Sequence, residues 1–193
     1  MTTVAEQPIM TAERFAQGMT WSEYFAGIQA NKPKFEKFYN EFRVKPEEVD
    51  WYKKFNAKKG PIKIVAIGED WCPDVVRGIP VIARLAEALD VELRIFPRDS
   101  HMDLMNQYLW RHEYLSVPVF VFFDKDWKEL GHWTERPAAG YKFVAEIREE
   151  LAQSNTSEEE SLKVIRAKRE GVQEAWMHET IKEIREQILT RVM

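Results

Sequence analysis

The spacing of apolar positions changes character along this chain. From Thr11 to about Asn56, aromatic residues recur every three or four positions: Phe15, Trp21, Tyr24, Phe25, Phe35, Phe38, Tyr39, Phe42, Trp51, Tyr52 and Phe55. That period predicts helices with one face packed on a core. Pro33 and Pro46 stand where helices start. After the break Lys58-Lys59-Gly60-Pro61, the run Ile62 to Ile67 is rich in β-branched residues and predicts a buried strand. The helical period returns from Pro73 to Asp90, where Val76, Ile79, Ile82, Leu85 and Ala86 share a face and Pro80 is expected to kink the helix. A second strand is predicted over Val91 to Phe96, a helix from Asp99 to Trp110, and a third strand over Pro118 to Phe123. The turn Asp124-Lys125-Asp126 leads to an antiparallel partner strand between Trp127 and Thr134. Pro137 opens a further helix reaching about Gln153, with Phe143, Val144, Ile147 and Leu151 on one face. The order βαβαββα predicts an α/β fold with a mixed central sheet.

Ser154-Asn155-Thr156-Ser157 reads as a break, and Glu158 to Met193 as a long charged helix with a narrow apolar stripe. Such a helix either packs back on its own domain or zips to a second chain, giving a monomer or a homodimer. The lack of a sustained heptad favours packing back. The predicted organisation is a helical N-terminal extension over 1–59, an α/β domain over 60–153 and a C-terminal helix over 154–193.

A chain of 193 residues suits one decorated domain. Its formal net charge of -4 argues against nucleic acid or an anionic membrane as partner. No apolar run is long enough to span a bilayer, and the opening MTTVAEQPIM lacks a signal-peptide pattern. The expected location is cytoplasmic. A single cysteine, Cys72, excludes an internal disulfide.

That cysteine lies in Gly68-Glu69-Asp70-Trp71-Cys72-Pro73-Asp74-Val75, where the first predicted strand meets a helix. Unsatisfied N–H groups and the macrodipole concentrate positive potential at a helix N-terminus, which stabilises a thiolate. Pro73 suits the first turn, where its missing N–H costs nothing. Asp74 has two readings of equal weight: a carboxylate that raises the thiol pKa, or one that complements the helix's positive end.

Trp71-Cys72-Pro73, followed later by Val117-Pro118 at the start of a strand, resembles the thioredoxin family over about Gly60 to Gln153. The single-cysteine Trp-Cys-x-Asp motif is similar to that of a smaller thioredoxin-like branch. The resemblance implies a thioredoxin-like three-layer sandwich, a cis-proline at Pro118 and a substrate groove formed by Trp71, Pro73, Asp74, Val117 and Pro118. It also implies departures: Val75 occupies the second cysteine's position and Ala66 that of the buried acid. A dithiol cycle therefore cannot close within this chain.

Two functions remain open. In the first, Cys72 is a monothiol acting on a protein or small-molecule disulfide, with glutathione or another low-molecular-weight thiol as co-substrate and no resident cofactor. In the second, the fold is a catalytically silent binding or scaffold module. Thiol peroxidase chemistry ranks below both, because no arginine and hydroxyl arrangement is evident around the cysteine. Arg77 reads as a solvated helix residue or as a group attracting an anionic thiol. His101, His112, His132 and His178 show no metal-ligand spacing, so no metal site is expected, and His101 could approach the edge near Cys72. No phosphate-binding glycine motif or Gly-x-Ser-x-Gly elbow occurs.

Overall fold

A computed structural model describes residues 9–153 and 156–193. The first eight residues of the predicted extension and two residues of the predicted break, 154 and 155, lie outside the described residues.

The aromatic N-terminal region forms α1 (Ala12–Ala16), α2 (Trp21–Gly27), α3 (Lys32–Glu41) and α4 (Pro46–Lys59). Thr20 and Glu23 form a reciprocal capping box at the start of α2, and Pro33 and Pro46 occupy first turns. Phe15, Tyr24, Phe35, Phe42, Tyr52 and Phe55 are buried in the same core as the strands. Fully burying one such side chain stabilises by about 1.5–3 kcal/mol relative to leaving it exposed.

The α/β region runs β1 (Lys63–Gly68), α5 (Pro73–Leu89), β2 (Leu93–Pro97), α6 (Met102–Met105), β3 (Val119–Phe123), β4 (Glu129–Thr134) and α7 (Ala138–Ala152). The sheet order is β2-β1-β3-β4, with β1 parallel to β2 and antiparallel to β3, and β3 antiparallel to β4. Every residue of β3 is buried, as expected of a strand covered on both faces. Helix α5 packs against α3, α4 and β1, and continues through Pro80 as far as Leu89. At the sheet edge, Met19 pairs with Ile95 of β2, exchanging backbone hydrogen bonds of 2.8 and 2.7 Å.

The helix predicted over Asp99 to Trp110 is much shorter in the structure, where only Met102–Met105 is helical. Tertiary contacts override the local period here. Leu104, Met105 and Tyr108 are drawn into the core, and the Tyr108 hydroxyl donates to Glu129 at 3.1 Å. Beyond them the chain reverses through left-handed Arg111 and His112, closing a Trp110–Tyr114 bridge.

The C-terminal helix follows an almost unbroken helical path through α8 (Glu158–Arg169), a short 3-10 turn, α9 (Gln173–Glu183), a π segment over Ile184–Ile188 and a final 3-10 turn. Its apolar stripe packs back on the chain: Ile165, Trp176, Ile181, Ile184 and Ile188 are buried. Helix α9 contacts α5, and the π segment contacts β4. Tyr52 donates its hydroxyl proton to the Ile181 carbonyl at 2.9 Å, tying α4 to α9. No described helix is long and apolar enough to cross a membrane.

Candidate functional site

Strand β1 ends at Gly68, and the following turn delivers Cys72 to the N-cap of α5. Two backbone bonds fix the corner: the Cys72 N–H donates to Glu69 O at 3.1 Å, and the Val76 N–H donates to Cys72 O at 2.9 Å. Pro73 begins the helix with its ring exposed. The N-terminal extension grips the same corner. Asp70 accepts hydrogen bonds from the N–H groups of Gln29 and Ala30 at 2.7 and 3.0 Å, and the Asn31 amide donates to Asp70 O at 2.9 Å.

The structure brings Cys72 against the start of β3. Its half-buried thiol donates to the Val117 carbonyl at 3.6 Å, and the Val117–Pro118 peptide bond is cis. Helix α5 approaches Pro118 closely because residue 78 is glycine: a Cβ there would lie 2.9 Å from Pro118 Cγ. Trp71 is 51% exposed beside the thiol in sequence, and the Arg98 guanidinium lies 5.0 Å from its ring centroid. Arg98 also donates to Leu115 O at 3.2 Å and pairs with Asp99 at 2.7 Å, so it joins the Trp71 turn to the loop preceding Val117.

Beneath this surface lies a charge cluster that the sequence only half revealed. Asp74 is buried between two guanidiniums, with Arg77 Nη2 at 2.9 Å and Arg136 Nη2 at 2.7 Å. The Arg77 contact is close in distance but off the hydrogen-bond axis, so its attraction is ionic rather than directed. Arg136 also pairs with Glu135, which accepts from the Tyr141 hydroxyl at 2.9 Å. The Glu135 N–H donates to Pro118 O at 2.7 Å, linking the end of β4 to the Cys72 neighbourhood.

Arg77 is neither solvated nor available to a ligand at the surface. It is 1% exposed, with its guanidinium 5.1 Å from the Trp176 ring centroid. The reason is packing: α9 covers the face of α5 on which Arg77 stands. Burial pushes the Arg77 guanidinium below its ordinary pKa, and Asp74 opposes that shift. An i,i+3 Asp-Arg spacing was legible in the sequence, but nothing there marked Arg136 as its second partner or Trp176 as its cover. His101 contacts the Pro97 carbonyl at 2.8 Å and packs its ring against Phe96.

Burial also pushes the Cys72 thiol above its ordinary pKa. The N–H groups of Val75 and Asp74 oppose that rise, as a helix N-terminus should; the Asp74 carboxylate adds to it, and Arg136 offsets part of the addition. The direction of the Asp74 effect is that of the first reading, and the carboxylate's own partners are the two arginines. A carboxylate held between two arginines contributes structure to the first turn while leaving a residual negative field at the sulfur. Val75 and Ala66 are fully buried, and Val75 packs closely against Gly68. A half-buried sulfur beside an exposed tryptophan and a carbonyl-lined edge can attack an extended disulfide that docks there.

Two solved structures share this architecture. A Pseudomonas aeruginosa protein of unknown function superimposes with a TM-score of 0.60 at 17% identity, covering 84% of this chain and 99% of its own. The crystal structure of an HIV epitope-scaffold superimposes with a TM-score of 0.63 at 16% identity, covering 94% of this chain and 96% of its own. At such identities the likeness concerns the fold alone. No curated protein matches this chain. A thioredoxin family model matches residues 18–150, taking in part of the helical extension, the whole sheet and the Cys72 corner, and the chain belongs to the thioredoxin family.

Proposed function

We propose that the protein is a monothiol thiol-disulfide oxidoreductase in which Cys72 is the only reacting sulfur. The observation that carries this reading is the half-buried Cys72 thiol at the N-cap of α5, 3.6 Å from the Val117 carbonyl and next to cis-Pro118. In the first step Cys72 releases its proton to solvent, and Sγ bonds to one sulfur of the substrate disulfide. The substrate S–S bond breaks, and the departing sulfur leaves as a thiolate that takes up a proton. An external low-molecular-weight thiol, as its thiolate, then attacks the substrate sulfur of the mixed disulfide: the bond to Cys72 Sγ breaks, and Cys72 leaves as a thiolate and takes up a proton. A second external thiol attacks the first one's sulfur, freeing the substrate thiol and leaving a low-molecular-weight disulfide. Trp71, Pro73, Asp74, Val117 and Pro118 would form and support the groove for the partner. The requirement for an external thiol suits a reducing compartment such as the cytoplasm.

A specific observation favours a second reading, a binding module without exchange activity. The thiol is shifted upward, and buried Val75 and Ala66 stand where dithiol relatives would carry a second cysteine and an acid. The two readings separate in a single-turnover experiment with an oxidised peptide, followed by mass spectrometry. Exchange chemistry predicts a mixed disulfide at Cys72 that millimolar external thiol releases and that Cys72→Ser never forms. Failure of the wild-type chain to form that adduct would overturn the oxidoreductase reading.

A further inference from the structure

A cleft of about 520 Å³ opens beside the Cys72 corner, bounded by α3, the first turn of α5 and the end of α8. Its volume is within the range of small-molecule sites. Its lining includes the apolar side chains of Trp71, Pro73 and Phe38 and the basic side chains of Lys34, Arg166 and Arg169. Cys72 lies between two of these apolar residues, Trp71 and Pro73, in sequence.

The charges on this cleft are unbalanced. Glu170 is the one acid among its lining residues, and it pairs with none of the three cations within 4.0 Å. Among the described residues, Lys34, Arg166 and Arg169 have no carboxylate partner, and the buried Arg169 Nε has no hydrogen-bond acceptor. Arg169 shares the Trp176 ring with buried Arg77, at 6.0 and 5.1 Å from the centroid. Arg77, further in, is compensated by Asp74, which it shares with Arg136. A buried N–H without an acceptor is costly unless an acceptor arrives.

We propose that this cleft holds the carboxylate-bearing part of a small anionic thiol or disulfide, so that Cys72 exchanges preferentially with negatively charged partners. The proposal rests on the exchange chemistry given above. Trp71, Pro73 and Phe38 accommodate the ligand's carbon skeleton, and Lys34, Arg166 and Arg169 take its carboxylates. For an anionic disulfide, one sulfur bonds to Cys72 Sγ and the other departs as an anionic thiolate that takes up a proton. The disulfide is itself the oxidant, so no further reagent is needed.

The test compares stopped-flow exchange rates of the full chain with two aromatic disulfides, the doubly carboxylated 5,5′-dithiobis(2-nitrobenzoic acid) and the uncharged 4,4′-dithiodipyridine. Lys34 and Arg166 are exposed, so Lys34→Gln combined with Arg166→Gln should leave the fold intact, which circular dichroism checks. The expected result is a fall of about tenfold in the anionic reagent's rate, in line with local electrostatic focusing, while the uncharged reagent's rate is unchanged. A rate ratio that the double substitution does not move overturns the role of the cleft and leaves Cys72 exchange standing. Silence of native wild-type protein towards both reagents, with normal reaction after unfolding, overturns the exchange reading and this proposal with it.

Discussion

Replacing Asp74 by asparagine should expose the cost of the buried arginine behind the thiol. Asp74 and Arg77 are 3% and 1% exposed, so Asp74→Asn leaves a guanidinium in the interior without its nearest anion. Breaking a buried pair in this way typically costs about 3–5 kcal/mol. The lower end applies here for two reasons. Arg77 keeps its contact with the face of Trp176, and Arg136 keeps Glu135, so neither cation loses every favourable neighbour. A loss of about 3 kcal/mol corresponds to about 6–12 °C in Tm for a domain of this size. Urea unfolding at pH 7 reads the loss directly, provided the m-value stays constant. In the double variant Asp74→Asn, Arg77→Met no buried charge is left unpaired between these two positions, and most of the stability should return. A single variant within about 1 kcal/mol of wild type, or a double variant less stable than the single, would refute the assignment of Asp74 as the compensating charge.

Three further outcomes are expected. Gly78→Ala places a methyl 2.9 Å from Pro118 Cγ and should cost about 1–3 kcal/mol while changing the Cys72 alkylation rate; an unchanged urea midpoint contradicts the close approach. Burial raises the Cys72 pKa in the folded chain above the unfolded value of about 8.5, so the buried thiol's stabilisation is complete below that pH and is lost as pH rises through the folded value. Cys72→Ala should therefore flatten the alkaline loss of stability between pH 7 and pH 10, and parallel pH profiles for the two proteins would rule the shift out. Asp70→Ala removes the acceptor of the Gln29 and Ala30 N–H groups, with an expected cost of about 1–2 kcal/mol and faster hydrogen exchange at both amides. Unaltered protection there would mean that the extension is held by its aromatic contacts alone.

The strands and the long helices were legible because their period is strong and their tertiary setting agrees with it. β3 is the plainest case, five consecutive apolar residues that are all buried. The Cys72 corner was legible for a related reason: a strand, a proline and a helical period meet there in adjacent residues, and Val117-Pro118 supplies a familiar partner sequence. The stretch 99–110 was misread as one helix because its period continues past Met105, where the helical turn ends and Tyr108 is buried from irregular chain with its hydroxyl on Glu129. Arg77 was misread because a charged residue between apolar neighbours looks like the solvent side of a helix until α9, a hundred positions later in the chain, is placed over it. Arg136 and Asp70 could not be recognised from spacing at all. Their partners, Asp74 and the Gln29–Ala30 amides, are distant in sequence and are defined by the folded backbone.

The hydrogen bond between Tyr52 and Ile181 joins residues 129 positions apart, and this separation bears on how the chain is made. On a ribosome adding about 5–20 residues per second, Tyr52 emerges roughly 6–26 s before Ile181. During that interval the Tyr52 hydroxyl lacks its acceptor, and the Arg77 guanidinium lacks the cover of Trp176. The contacts of α9 with α4 and α5 are thus late events in synthesis, set by the arrival of that helix rather than by translation of Cys72. Ribosome-arrested chains in which Gln173–Ile188 is still inside the exit tunnel should remain open to protease, whereas chains carrying a linker that brings Ile188 clear of it should be protected.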